Sequence, residues 1–424
     1  MNTWRVTDWG VRPDEAAPRT AALQALIDRC AAEGGGRIVF PKGRYVTGTL
    51  KLCGNLTLEL ERGAFLCGSV NEADYPLFDP APIPFYEGRN GIRALLFALD
   101  AKNITLTGEG VIDGRNSEFP DHAPHRAMPR LIWFGRCENV SVSGLVMRNS
   151  VFWVQHYLQC RHLRLTDLTV RSHGCENNDG MDIDSCTDVE ISGCRVDAGD
   201  DAVCLKTGTD LPCSEVYVHD CILSSHCAAF KLGTESNGGF TKIQAERLLV
   251  VPSEDLRCLE GEDYRACSAI GIGAVDGAFV DDIRIKDVRI CGARMPFFMR
   301  WGDRRRGILG EPGGGGAPSY FRNVLLENVR AFNAAPRGAY ICGMPGKEME
   351  NIVLRDCVFE FDGPVGPGWK DLTVPEEGHP FPNTCTFGRG PFPALLFVRH
   401  VKNFLAERTV FRKPAGDLRP DILS

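Results

Sequence analysis

One short pattern returns along most of this chain, and it constrains the fold more than any other feature. Each copy opens on a polar residue, continues with an aliphatic residue and alternation, and sets a second apolar position five residues after the first. It reads "NITLTGEGVIDG" from Asn103, "NVSVSGLVMRNS" from Asn139, "HLRLTDLTVRSH" from His162 and "DVEISGCRVDAG" from Asp188. It continues as "EVYVHDCILSSH" from Glu215, "KIQAERLLVV" from Lys242, "DIRIKDVRI" from Asp282, "NVLLENVRAF" from Asn323 and "NIVLRDCVFEF" from Asn351. The first apolar residues of the central copies, Val140, Leu163, Val189, Val216 and Ile243, lie 23, 26, 27 and 27 residues apart. Short strands of period two recurring at this interval match the coils of a parallel β-helix, each stacked on its predecessor. A sandwich would show antiparallel hairpins at shorter spacing and two-residue turns, which are scarce here.

The second apolar slot holds Leu145, Leu168, Cys194, Cys221, Leu248, Val288, Val329 and Cys357. Cysteine therefore alternates with Leu and Val and acts as a small buried hydrophobe. The chain has 18 cysteines but no C-x-x-C pair, which argues for thiols in a reducing compartment and against a zinc ribbon. A stacked solenoid needs covered ends. "TAALQALIDRCAAEGGG" from Thr20 predicts an amphipathic capping helix with a Thr cap and a glycine stop, and "GRIVFPKGRYVTGTLKL" predicts the first strands. The expected fold is all-β, a right-handed parallel β-helix of about ten coils with an N-terminal capping helix. A single domain is expected over 1–424: cap and first coil in 1–50, central coils in 100–360, and a loop excursion with the last coil in 361–424.

A formal charge of −7 argues against nucleic acid as a partner, because phosphate contacts demand a basic face. The opening "MNTWRVTDWGVRPDE" has no apolar signal core, and no later run approaches a membrane span, so a cytoplasmic location away from membranes is expected. Monomer and homo-oligomer are equally open.

The run "NNDGMDIDSCTDVEISGCRVDAGDDAVCLKTG" from Asn177 holds seven aspartates. Carboxylates so close repel one another unless the fold separates them, binds a cation with them or uses the repulsion. Neighbouring coils stand one strand spacing apart, about 4.8 Å. Asp179 and Asp200, 21 residues apart, are therefore expected on adjacent strands over one groove, with Asp201 beside them and His226 one coil further. Glycoside hydrolysis needs such a set: one carboxylic acid to protonate the leaving oxygen, another carboxylate to activate water. Crowding can hold one of them protonated near neutral pH.

"NNDG" from Asn177, "GDDAVCLKTG" from Gly199 and the His one coil later resemble the polygalacturonase family, family 28 of the glycoside hydrolases. The entry segment "GGGRIVFPKGRYVTGTL" and "NSVFWVQHYLQCRHLRL" are similar as well, so the likeness runs from about Trp4 to about Phe404. The resemblance implies Asp200 as general acid, Asp179 and Asp201 as the carboxylates on the attacking water, and inversion at the anomeric carbon. It implies substrate or orienting contacts for Lys206 and Asn177, a tuning role for His226, and neither cofactor nor catalytic metal. "FKLGTESNGGF" and the "W-x-x-H" of Trp153 and His156 resemble exo-acting bacterial members and add Glu235 and Asn237 as contacts for a terminal sugar.

Two departures stand out. The family's Gly-His-Gly is Ser225-His226-Cys227 here, and its Arg-Ile-Lys, which binds a uronate, has no counterpart where expected. "AIGIGAVDG" near Gly271 occupies that place, while Arg284 and Lys286 sit in a repeat strand and are expected to face solvent. Arg300 and Arg304 are the replacement cations the sequence offers. The long insert from Tyr75 to Leu99 and the loop from Phe119 to Arg130 are expected to close one groove end. The sequence thus predicts an exo-acting, inverting hydrolase that takes a terminal sugar, galacturonate first and rhamnose or another neutral sugar second, from pectic oligosaccharides. A lyase or epimerase, with the substrate carboxylate neutralised by calcium or arginine, and a non-catalytic sugar-binding β-helix are the rivals.

Overall fold

The computed structural model describes residues 2–79, 81–85, 88, 90–119, 128–255, 265–308, 319–377, 386–387 and 390–424. The chain winds as a right-handed solenoid of three parallel sheets, with 13 strands in sheet A and 12 each in sheets B and C. The repeat seen in the sequence supplies one strand of sheet A and one of sheet B per coil, and the intervening segment supplies sheet C. The coils exceed the expected ten: the outer ones have atypical sequences that the repeat does not reveal.

Each copy opens on a polar residue for a conformational reason. Asn103, Asn139, His162, Asp188, Glu215, Lys242, Asp282, Asn323 and Asn351 all adopt a left-handed backbone, with φ between 52° and 59°. Asn and Asp tolerate that region best. The same corner builds side-chain ladders, with Asn139 Nδ2 donating to Asn103 Oδ1 and Asn103 Nδ2 to Asn55 Oδ1, each at 2.7 Å. The residues that follow stack in register, Val140 on Leu163 on Val189 on Val216 on Ile243. All are buried, as are all eight residues of the second slot, the cysteines among them. Ile285 is buried while Arg284 and Lys286 are exposed, as alternation predicts.

The capping helix spans Thr20–Ala32 and buries Leu23, Leu26, Ile27 and Cys30 over the open first coil. Its glycine stop is present, with Gly34 at φ +83°. The expected Thr cap is absent, because Thr20 is already helical and its Oγ1 accepts the Gly48 amide at 2.7 Å. A strand at Thr3–Arg5, which sequence reasoning missed, pairs with Gly36–Phe40 ahead of the first full coil. Among the described residues no helix is long and apolar enough to cross a membrane.

Sheet C differs from the other two. Strands Met181–Asp184, Val203–Thr207 and Ala228–Ser236 are buried at every residue, so their outward side chains lie under loops. The Tyr75–Leu99 insert covers one stretch of this outer face, packing Ile83, Phe85 and Ile92 against Phe97, Trp133 and Leu158. Residues 120–127 of the second expected loop lie outside the described residues. Further along, Met295, Phe298, Tyr340, Cys342 and Phe392 form another apolar cover. Between the two covers the outer face of sheet C is polar.

Candidate active site

The polar stretch is built by register. In sheet C, Met181 pairs with Val203 and Val203 with Phe230, all pointing inward. Their neighbours Asp182, Cys204 and Lys231 therefore form a column on the outer face, and Asp184 stands level with Lys206. Two residues ahead of these strands, at the turn from sheet B, Asp179 stands level with Asp201, whose carbonyl accepts the Gly180 amide at 2.8 Å. The expected pairing of Asp179 with Asp200 is off by one position: Asp200 stands level with Asn178, whose carbonyl its amide meets at 3.4 Å. The trio still converges. Carboxylate oxygens of Asp179 and Asp201 lie within 4.8 Å of each other and of the Cys204 sulfur, and Asp200 and Asp201 are as close to the Cys227 sulfur.

Each carboxylate has its own electrostatic setting. Asp200 lines an open cleft of about 420 Å³ with Cys175, Glu176, Asn177, Gly199, His226 and Cys227. Its Oδ2 accepts from Asn177 Nδ2 at 3.2 Å. Burial, and then the neighbouring Asp201 charge, raise its pKa, which favours the protonated acid. Asp201 is buried and accepts an ammonium hydrogen bond from Lys231 at 2.7 Å and the Ala228 amide at 3.1 Å. Burial and the charge of Asp182 push Asp179 well above the ordinary carboxylate range, and its Oδ1 accepts no hydrogen bond among the described residues. Burial also raises Asp182, to about 7, against the pull of Lys206.

Lys206 knits this cluster together. Its Nζ stands 3.3 Å from Asp179, Asp182 and Glu235 alike, and 4.6 Å from the Trp153 ring centroid. Arg306, from the loop after sheet C, reaches Glu235 from the other side. Although burial opposes it, Lys206 and then the arginines hold the Glu235 carboxyl below its usual range. The ammonium groups already at these acids leave the two Asp–Asp–Cys groupings poorly suited to a divalent cation.

His226 follows the sheet B register, level with Gly199 and two strands from His173. Because Gly199 has no side chain, the two imidazoles meet, with centroids 4.8 Å apart. His226 Nε2–H donates to the Asp255 carbonyl at 3.0 Å. Burial and His173 lower its pKa, so the ring is neutral at pH 7 and forms a wall of the Asp200 cleft.

Trp153 lies over Lys206, and His156 packs behind it at 4.9 Å, fully buried, with burial pushing its pKa down to about 4. Asn237 turns its side chain to the Thr207 carbonyl at 3.4 Å. Arg300 does not reach the carboxylates. It stands two strands beyond Lys231, and its guanidinium is taken up by the carbonyls of Cys342, Gly343 and Glu377 beneath the second apolar cover. Arg304 pairs with Asp276, Nε to Oδ1 at 2.8 Å. Sequence reasoning missed Lys231, Asp182 and Arg306 as site residues. Alternation from Phe230 would have aimed Lys231 outward, whereas nothing in the sequence brings the Arg306 loop to Glu235.

The uronate-binding Arg-Ile-Lys has a definite replacement. Gly271, Ile272 and Gly273 follow Lys231 in register, with Ile272 inward and both glycines outward. The Phe298 ring closes over Gly271, leaving no room for a side chain there: a Cβ would stand 2.8 Å from it.

Fold and site together are a parallel β-helix with Asp200 in an open cleft and Asp179 and Asp201 buried beside it, an arrangement of the kind glycoside hydrolysis uses. The family model described as Glycosyl hydrolases family 28 matches residues 30–224, which include Asp179, Asp200, Asp201 and Lys206 and end just short of His226. A probable polygalacturonase of Vitis vinifera is 27% identical over 69% of this chain, and an exo-poly-alpha-D-galacturonosidase of Dickeya chrysanthemi is 26% identical over 63%. The alignments span 62% and 53% of those relatives' own lengths. Among solved structures, a family 28 exopolygalacturonase of Yersinia enterocolitica superposes with a TM-score of 0.70 at 18% identity, covering 99% of this chain and 79% of that one. An exopolygalacturonase of Thermotoga maritima gives 0.67 at 21%, covering 85% and 87%. These two establish the shared fold. The resemblance to the polygalacturonases read from the sequence is thus matched by the family 28 model over residues 30–224 and by these relatives.

Proposed function

We propose that the protein is an exo-acting, inverting hydrolase that releases a terminal galacturonate from pectin-derived oligosaccharides. The observation that carries this reading is Asp200: a carboxyl in the open cleft with a raised pKa, beside Asp201 paired with an ammonium. In the proposed reaction Asp200 gives its proton to the glycosidic oxygen as the bond to the anomeric carbon breaks. A water held by Asp179 and Asp201 attacks that carbon from the opposite face and passes a proton to Asp201, which inverts the configuration. Lys206 fixes Asp179 and Glu235, and Asn177 fixes Asp200.

The apolar covers on either side of the polar stretch favour a pocket that accepts a chain end, and the exo-acting relatives agree with this. Cysteine serving as a buried hydrophobe at Cys194, Cys221 and Cys357 suits a reducing compartment, in which short imported oligomers would be the substrates. A second reading rests on Gly271 and Gly273: with both family cations absent from that face, a rhamnose or other neutral terminus is the alternative. The test is incubation with saturated, unsaturated and rhamnose-capped pectic fragments, with the released monosaccharide identified by mass. Galacturonate release from the saturated non-reducing end is expected. Internal cleavage, or release of rhamnose alone, overturns the first reading.

A further inference from the structure

A second cleft, of about 690 Å³, lies on the outer face of sheet B, away from the carboxylates of sheet C. Its volume is in the range of ligand sites. Lys42, Arg44, Arg115 and Arg148 line it with Asp14, Asp113, Glu118 and the Phe65 ring. Its carboxylates are engaged. Asp113 accepts from Arg148 Nε at 2.8 Å, Asn149 Nδ2 at 3.0 Å and the Arg115 amide at 3.0 Å. Glu118 is held by Arg115, Nε to Oε1 at 3.0 Å, and Asp14 accepts the Arg44 amide at 3.1 Å. Lys42 and Arg44, both exposed, form no ion pair with any carboxylate among the described residues. Arg148 lies 5.7 Å from the Phe65 centroid and uses only Nε toward Asp113.

Register extends this basic surface. Arg148 pairs directly with Arg171, which is exposed and likewise has no ion pair among the described residues. Arg148 is turned toward Asp113 on the strand before it, which leaves Arg171 on the strand after it as a further cation of this face. The next strand carries Asp197, already engaged by His173 at 3.0 Å, and it leads into Gly199 and Asp200. On a chain of net charge −7, Lys42, Arg44 and Arg171 thus stand without an ion pair among the described residues, beside the paired Arg115 and Arg148.

We infer that the sheet B cleft, from Lys42 and Arg44 to Arg148 and Arg171, is a second, non-catalytic site for an acidic oligosaccharide. Guanidinium groups pair bidentately with carboxylates spaced along a polyuronate, and the Phe65 ring offers an apolar face to a sugar. The site would raise the effective concentration of long chains near the pocket without touching the bond that is cut. The choice of uronate rests on the proposed function.

The test compares the full chain with Lys42→Glu/Arg44→Glu, whose side chains are at the surface. Binding of labelled decagalacturonate is followed by polarisation, with unlabelled maltodecaose and sodium sulfate as competitors. The wild type is expected to bind at least tenfold more tightly than the variant, maltodecaose to leave binding unchanged, and sulfate at matched ionic strength to compete no better than chloride. The two proteins should turn over digalacturonate at the same rate, while the variant shows a raised KM for decagalacturonate. Equal affinities in the two proteins, competition by maltodecaose, or stronger competition by sulfate than by chloride overturns the inference. Should neither protein release galacturonate, the proposed function fails, while the binding comparison still decides the second site.

Discussion

Asp200→Asn is the substitution that separates the proposed chemistry from every structural role of the residue. The amide is isosteric, and its oxygen can still accept from Asn177 Nδ2, now at 3.2 Å. What disappears is the transferable proton. General acid catalysis contributes typically 10²–10⁴-fold, which at about 1.36 kcal/mol per decade is roughly 3–5 kcal/mol of barrier. The fold should not suffer. A folded-state pKa raised above 3.8 means that the native protein binds this proton more tightly than the unfolded chain. Ionisation of Asp200 therefore costs stability as pH rises from the unfolded value through the folded one, and the amide removes that cost. The assay is steady-state hydrolysis of trigalacturonate from pH 4 to 8, beside an aryl galacturonide whose leaving group needs no proton. Wild-type activity should fall on the alkaline side as Asp200 ionises. The variant should lose about 10²–10⁴-fold on trigalacturonate, keep most of its aryl-glycoside rate and lose the alkaline limb. Equal losses on both substrates, or near-wild-type turnover of trigalacturonate, refute Asp200 as the acid.

Lys206→Met leaves Asp179, Asp182 and Glu235 without their shared ammonium, and urea unfolding at pH 7 should report a loss of about 3–5 kcal/mol, the usual cost of breaking a buried ion pair. Gly271→Ala drives a methyl into the Phe298 ring and should cost about 1–3 kcal/mol by thermal unfolding, with Phe298→Leu in the same chain recovering most of it. Asp182, raised from 3.8 to about 7, should make wild-type stability decline from about pH 4 to about pH 7, because over that range the folded protein holds a proton that the unfolded chain has released. Urea titrations of Asp182→Asn should show a flatter profile over that range.

The solenoid was legible because its repeat has a backbone cause. A left-handed corner tolerated by Asn and Asp, followed by inward aliphatic residues, recurs wherever sheets A and B add a strand. Sheet C has no comparable signature. Its outward residues are His156, Asp182, Cys204, Lys231 and Gly271 in succession, so the variation that carries the chemistry also hides the repeat. The spacing of Asp179 and Asp200 was read to within one residue, and only the hydrogen-bond ladder shows that Asp201 is the one level with Asp179. Arg300 shows the limit of alternation. It faces outward as the pattern suggests, but residues nearly eighty positions later supply the Glu377 carbonyl and cover that face, and no local rule predicts them.

The seven aspartates of the run from Asn177 stand in different settings. Asp188 is a surface corner residue paired with Arg164 at 2.8 Å, and Asp197 is held by His173 and Ser253. The rest sit where burial works against charge, and the fold settles each one separately. Asp201 receives Lys231, while Asp179 and Asp182 share Lys206 with Glu235. Two ammonium groups, with the Arg306 guanidinium at Glu235, are three cations against the five carboxyls of Asp179, Asp182, Asp200, Asp201 and Glu235, which favours protonation of some of them. Those with raised pKa are Asp179, Asp182 and Asp200, and of the three only Asp200 lines the open cleft. A shortage of counter-charge, placed so that its one accessible member is an acid, is how this site can keep the pKa of a proton donor above the ordinary carboxylate value.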